Sequence, residues 1–143
     1  MASRGHYLET EIERVLRFLG NMGVHGHKNH ARRTAEGQYL EGEPFDYEVF
    51  SNGVLHCFDA KECAGDKWSL KNAKLSQVDN LLKCAAHGAE AFFLVYFKTV
   101  RKLVRFNVRL VKEAMCSGKK SLGPDEGVDW DWTELKPSRK NTP

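Results

Sequence analysis

Leu8, Ile12, Val15, Leu16 and Leu19 recur at helical spacing and predict one helix over 7–19 with a single buried face. Gly20 and Gly23 end it. Residues 28–43 show no apolar periodicity and read as a polar loop. After Pro44, the aromatic and β-branched run FDYEVF predicts a short strand. Ser51-Asn52-Gly53 is a turn signal, and VLHCFDAK at 54–61 is the expected partner strand of an antiparallel hairpin. Leu75, Val78, Leu82 and Ala85 form one stripe and place a helix over 70–87, with Gly88 as its C-cap. AFFLVYF at 91–97 is continuously apolar, which suits a central strand covered on both faces. KLVRFNV at 102–108 reads as a further strand and 109–116 as a short helix. The order helix, strands, helix, strand, strand, helix predicts an α/β sandwich built on one mixed central sheet flanked by helices.

A chain of 143 residues, 41% apolar and 29% charged, is expected to be one globular domain with its own core. No apolar run approaches the roughly 18 residues of a membrane-spanning helix. Met1 to Gly5 lacks the apolar stretch of a secretory signal, so a cytoplasmic location is expected. Cys57, Cys63, Cys84 and Cys116 form no C-x-x-C pair and read as free thiols.

The net charge of +3 matters less than its distribution. Residues 98–112 carry six Lys or Arg and no acid, whereas 125–134 carry five acids and no base. A second cationic cluster, HGHKNHARR, lies at 25–33. This asymmetry points to a polyanionic partner, with Lys28, Arg32, Arg33, Arg101, Lys102 and Arg105 as candidate DNA phosphate contacts. The acidic stretch is expected to be a C-terminal arm over the fold or a partner-facing segment. That divides the chain into a domain at 1–122 and an acidic arm with a flexible tail at 123–143. His25, His27 and His30 leave zinc binding, phosphate contact and an ordinary loop open. Trp68, Trp130 and Trp132 leave base stacking and packing open.

The hairpin carries the chemistry. Asp46 begins its first strand, and Asp59 and Lys61 stand two residues apart near the end of the second. Period-two geometry puts Asp59, Lys61, Leu55 and Cys57 on one face, and the hairpin brings Asp46 beside Asp59. Two acids and a lysine at a strand end are costly unless compensated. A magnesium ion would compensate them, since it takes one or two carboxylates together with phosphate and water oxygens. Asp46, Asp59 and the Ala60 carbonyl are the candidate metal ligands, with Glu48 in reserve. Lys61 is then placed to hold a phosphate oxygen or the attacking water, which suits phosphodiester hydrolysis.

Pro44-Phe45-Asp46, twelve further residues and then Asp59-Ala60-Lys61 resemble the motif of the PD-(D/E)xK nucleases. Gly5-His6-Tyr7-Leu8-Glu9 is similar to the first-helix motif of Holliday junction resolvases in that superfamily. Phe58-Asp59-Ala60-Lys61-Glu62 resembles the FEAKE-type strand of the RecU family. Trp68-Ser69-Leu70-Lys71-Asn72, Leu75-Ser76-Gln77, His87-Gly88, Ala91-Phe92-Phe93-Leu94 and Lys120-Ser121-Leu122 follow that family's later order. The resemblance spans about residues 5–122. It implies a restriction-endonuclease-like core and a metal-dependent endonuclease, with Mg2+ as cofactor and Mn2+ as substitute. The implied substrate is the four-way or otherwise branched DNA of recombination and repair. It also implies a homodimer, and products with 5′-phosphate and 3′-hydroxyl ends. Glu9, Asp46 and Asp59 become the metal-site acids, Lys61 the catalytic lysine and Gln77 a helix residue facing the site.

The chain departs from the family pattern in several places. Asp59 stands where glutamate is usual, Ser76 where histidine precedes the glutamine, and Pro44-Phe45 where threonines are common. Residues 25–43 are short and polar for the family's protruding stalk. A restriction- or repair-type nuclease and a non-catalytic DNA-binding module on the same fold are the alternatives.

Overall fold

The computed structural model describes residues 6–29 and 45–138, and the first expected helix runs there as α1, His6–Asn21. Leu8, Ile12 and Leu19 are buried on its inner face. The helix stops where Gly23 takes a φ of 84° and the Val24 N–H bonds back to the Leu19 carbonyl at 3.0 Å. That left-handed closing residue is open to glycine at little cost.

A strand not expected from the sequence follows: β1, His25–Lys28. It pairs antiparallel with β2, Tyr47–Ser51, which in turn pairs with β3, Val54–Cys63. Asn52 and Gly53 both have positive φ, 53° and 79°, as a two-residue hairpin turn of this hand requires. The expected helix over 70–87 divides in two. Short strand β4, Trp68–Ser69, leads into a 3-10 turn at Leu70–Asn72, and helix α2 begins only at Leu75 and ends at Ala86. Ala73 and Lys74 are extended between them, and the buried Leu70 and Ala73 pin the turn independently of the helix.

Strand β5, Glu90–Phe97, runs parallel to β3 and antiparallel to β6, Lys102–Asn107. Helix α3 follows at Val108–Cys116, and short strand β7, Ser121–Leu122, pairs with β4. Strand β8, Val128–Asp129, pairs with β6 at the far edge. Among the described residues the main sheet has the order β1-β2-β3-β5-β6-β8.

Alternation along β5 builds both halves of the core. Phe93, Val95 and Phe97 join Trp68, Val78, Leu81, Phe106 and Val111 under α2 and α3. Phe92 and Leu94 join Leu8, Ile12, Leu19, Tyr47 and Phe58 under α1. Being covered on both faces is what makes β5 a near-continuous apolar run.

The acidic segment is woven into this fold. Trp130 and Leu135 are buried in the core under α1, the Trp130 N–H bonds to the Leu103 carbonyl, and Ser51 Oγ donates to the Leu135 carbonyl at 2.6 Å. The described fold therefore continues past residue 122, and the C-terminal segment up to residue 138 is part of it. Gly127 permits the edge strand to approach, since a Cβ there would meet Val104 Cγ1 at 2.6 Å and the Arg105 carbonyl at 2.7 Å. Among the described residues, no helix is long and apolar enough to cross a membrane.

Candidate active site

The two-residue turn fixes the register of the hairpin, with Ser51 opposite Val54 and Tyr47 opposite Phe58. One step further, Asp46 comes opposite Asp59, just beyond the end of the ladder. The side chains then interlock. The Asp46 N–H donates to Asp59 Oδ1 at 2.7 Å, and Asp46 Oδ2 accepts from the Ala60 N–H at 3.2 Å. Asn29 holds the other side of this peptide: its backbone N–H donates to the Asp46 carbonyl at 2.7 Å and its Nδ2 to the Phe45 carbonyl at 2.8 Å.

Asp59 has no solvent exposure, and among the described residues its Oδ2 is buried without a hydrogen-bond partner. Burial, and then the neighbouring Asp46 charge, push its carboxyl up to about 7; the Asp46 N–H and Lys61 oppose the shift. A buried carboxylate with one oxygen unsatisfied and a second carboxylate against it fits a hard cation with oxygen ligands. Asp46 and Asp59 are two of the oxygen donors such an ion takes.

Lys61 follows on the same face of β3. Its Nζ donates to Gln77 Oε1 at 3.2 Å, and the same oxygen accepts the Lys74 N–H at the start of α2, also at 3.2 Å. Gln77 is thus fixed by the helix terminus and in turn orients the lysine. Five expected residues, Asp46, Asp59, Ala60, Lys61 and Gln77, come together in this way.

Glu9 does not join them directly. It lies on the first turn of α1, half exposed, with Oε2 3.7 Å from Lys28 Nζ. Lys28 also reaches Glu13 at 3.2 Å and lies over the Tyr47 ring, so this expected phosphate contact is engaged within the fold. The Tyr47 hydroxyl is buried and unpartnered, and its pKa is raised by burial first and then by the charges of Glu9, Asp46 and Glu13. Tyr47 therefore lies within electrostatic reach of both Glu9 and Asp46. Among the described residues, no three His, Cys, Asp or Glu side chains are close enough together to hold a metal ion.

Other expectations resolve differently. Arg105 was expected on a DNA face, but its guanidinium lies 4.4 Å from the centre of the Phe92 ring and bonds Glu90 at 2.5 Å, with Glu134 at 3.7 Å. Its side chain is only 16% exposed, because the C-terminal segment folds over it. Arg101 and Lys102 are exposed, Arg101 in the β5–β6 turn and Lys102 at the start of β6. Glu48, the reserve ligand, pairs with His25 at 3.3 Å instead. His25 and His27 stack with ring centres 6.4 Å apart. His30, Arg32 and Arg33 lie outside the described residues. Trp68 and Trp130 are buried packing groups, and Trp132 packs edge-on against Trp130.

Sequence reasoning passed over Asn29 and Glu62. Asn29 follows a strand whose residues have no apolar alternation, so nothing marked it as adjacent to Asp46. Glu62 belongs to the same strand motif as Lys61, but the motif alone did not reveal what it holds.

Comparisons with known proteins place the chain in a family and show its fold. No curated protein sequence matches the chain. Among solved structures, the Holliday junction resolvase Hjc of Archaeoglobus fulgidus superposes with a TM-score of 0.54 at 19% identity, covering 84% of this chain and 94% of Hjc. That likeness establishes a shared fold. The family model for recombination protein U, RecU, matches residues 2–138, nearly the whole chain and including the C-terminal segment that closes over Arg105. The chain belongs to the RecU family of Holliday junction resolvases.

Proposed function

We propose that this chain cleaves four-way DNA junctions by divalent-metal-dependent phosphodiester hydrolysis, with Asp46 and Asp59 as the ligands that hold the cation and Glu9 completing the set. The observation that carries the reading is the unpartnered Asp59 oxygen, locked against Asp46 on the face that also presents Lys61. When bound, a magnesium or manganese ion supplies Lewis-acid activation of water and neutralises charge developing on the phosphate. Lys61, held by Gln77, places its ammonium against a phosphate oxygen and stabilises the same charge. Asp46 keeps Asp59 in place through its N–H and keeps the Ala60 peptide oriented through its carboxylate. Cleavage leaves 5′-phosphate and 3′-hydroxyl ends.

Arg101 and Lys102 project from the turn and strand start beyond β5, and they supply phosphate contacts that position duplex arms without reading sequence. A homodimer suits the near two-fold symmetry of a four-way junction, with one site on each of two opposed strands. Hjc, which shares the fold, is itself described as a Holliday junction resolvase.

The test is cleavage of a synthetic four-way junction and of the matching linear duplex, with Mg2+, with Mn2+ and with EDTA. Paired nicks in the junction that need a divalent ion and are absent from the duplex support the proposal. Equal cutting of linear duplex would make the chain a general or repair-type nuclease. Binding without cleavage under either metal would leave a DNA-binding module.

A further inference from the structure

Lys61 is followed by a second charged residue, Glu62, whose side chain turns to the other face of β3. That side chain is only 4% exposed. A carboxylate so deeply buried needs partners, and Glu62 has two. Its Oε2 accepts the Leu8 N–H at 2.8 Å, and its Oε1 pairs with Lys98 Nζ at 3.1 Å. Leu8 is in the first turn of α1, where backbone N–H groups have no partner inside the helix. A carboxylate there satisfies one of those donors and also faces the positive end of the helix dipole. The neighbouring Tyr7 ring packs 4.9 Å from Tyr96, the residue opposite Glu62 on β5. The first turn of α1 is thus tied to the ends of the two parallel strands at the edge where Lys61 stands.

The residue after Leu8 is Glu9. We infer that Glu62 is a positioning residue that docks the first turn of α1 onto β3, so that the Glu9 carboxylate reaches the cation held by Asp46 and Asp59. The inference rests on the proposed role of Glu9 in the metal site. The fixed point is the backbone. Glu9 is 52% exposed and, among the described residues, is held by Lys28 at 3.7 Å, so its side chain can exchange that partner for a stronger cation, provided the turn beneath it stays in place. Without Glu62, a helix N–H and Lys98 lose their shared acceptor and the turn loses its polar tie to β3. The apolar stripe of Leu8, Ile12 and Leu19 keeps the helix on the sheet, so the loss falls on its first turn.

The experiment measures Mn2+ binding to the full-length chain by electron paramagnetic resonance, without DNA, with thermal unfolding as the check on folding. Glu62→Ala is expected to weaken Mn2+ binding about tenfold, the lower end of what loss of a ligand-orienting partner costs. Glu62→Gln keeps an acceptor for Leu8 and should weaken it less. Glu9→Gln with Glu62→Ala should bind no more weakly than Glu9→Gln alone, because both changes remove one contribution. Wild-type affinity in a folded Glu62→Ala variant, or a double variant whose loss is the product of the two singles, overturns the inference. If Glu62→Ala does not fold, Glu62→Gln decides. A loss of threefold or more that vanishes in the Glu9→Gln background supports the inference, and wild-type affinity overturns it. Absence of Mn2+ binding in the wild-type chain would instead overturn the metal site itself. Wild-type binding that Asp59→Asn abolishes and Glu9→Gln leaves unchanged would remove Glu9 from it, and the inference with it.

Discussion

The backbone N–H of Asp46 donates to Asp59 Oδ1 at 2.7 Å, while among the described residues the second, buried oxygen of Asp59 has no donor. One side of this carboxylate is satisfied by the hairpin, and the other is the oxygen we propose as a cation ligand.

Asp59→Asn should therefore abolish cleavage while leaving junction binding close to wild type. It should also change how the metal-free protein responds to pH. In the folded chain the Asp59 carboxyl is raised from 3.8 to about 7. The folded state thus holds a proton that the unfolded chain releases. That contribution is complete below the unfolded value and is lost as pH rises through about 7. Thermal unfolding without metal should show wild type losing stability between about pH 4 and pH 7 and levelling off above that. Asp59→Asn should show less of this loss and be more stable at pH 8 by about 1–2 kcal/mol. Mn2+ should restore more stability at pH 8 than at pH 6, since it must displace the proton. Parallel pH profiles for the two proteins would mean that Asp59 is ionised without a cation.

Lys61→Met should lower the cleavage rate by about 10²- to 10³-fold, the usual cost of removing a charge-stabilising donor. Gln77→Ala should cost less, since Gln77 acts by orienting Lys61, and the double variant should be no slower than Lys61→Met alone. Single-turnover rates on a junction at saturating protein provide the measurement. Independent, multiplying effects would give Gln77 a role apart from the lysine.

The basic run at 98–112 separates into residues with different tasks. Arg101→Ala with Lys102→Ala should weaken junction binding and reduce the salt dependence of log K by about one unit for each lost phosphate contact. Arg105→Ala should leave that slope unchanged and lower the melting temperature, because Arg105 bridges Glu90 and Glu134 over the Phe92 ring. A changed slope in Arg105→Ala would place it on the DNA after all.

These contrasts show what the residues revealed before the structure was known. Asn52-Gly53 and the alternation around it fixed the hairpin register, and with it the meeting of Asp46 and Asp59. Gln77 was legible only through the family resemblance. Strand β1 was not, because His25, Gly26, His27 and Lys28 have no apolar alternation; pairing to β2 makes them a strand, not propensity. Arg105 was misplaced because a charge count along the chain cannot see Glu134, which comes from a distant segment to meet it. Glu9 was read as part of the site from its motif, yet its side chain is turned to Lys28.

The C-terminal segment offers a last test. Its acids suggested an arm over the fold or a partner-facing segment; instead Trp130 and Leu135 sit in the core under α1, and Asp131 caps a 3-10 turn at Trp132–Leu135 by accepting the Thr133 N–H. A chain ended at residue 122 would lose edge strand β8, both buried side chains, the Ser51–Leu135 hydrogen bond and the Glu134 partner of Arg105. Removing a buried Leu or Trp side chain costs about 2–5 kcal/mol each, comparable with the whole stability of a small domain. The shortened chain should therefore be unfolded or barely folded at 25 °C by circular dichroism and urea titration. Gly127→Ala is the gentler version: its Cβ would press on Val104 and the Arg105 carbonyl, so it should cost about 1–3 kcal/mol while the chain still folds. Wild-type stability in the shortened chain would restore residues 123–143 to the status of an appended arm.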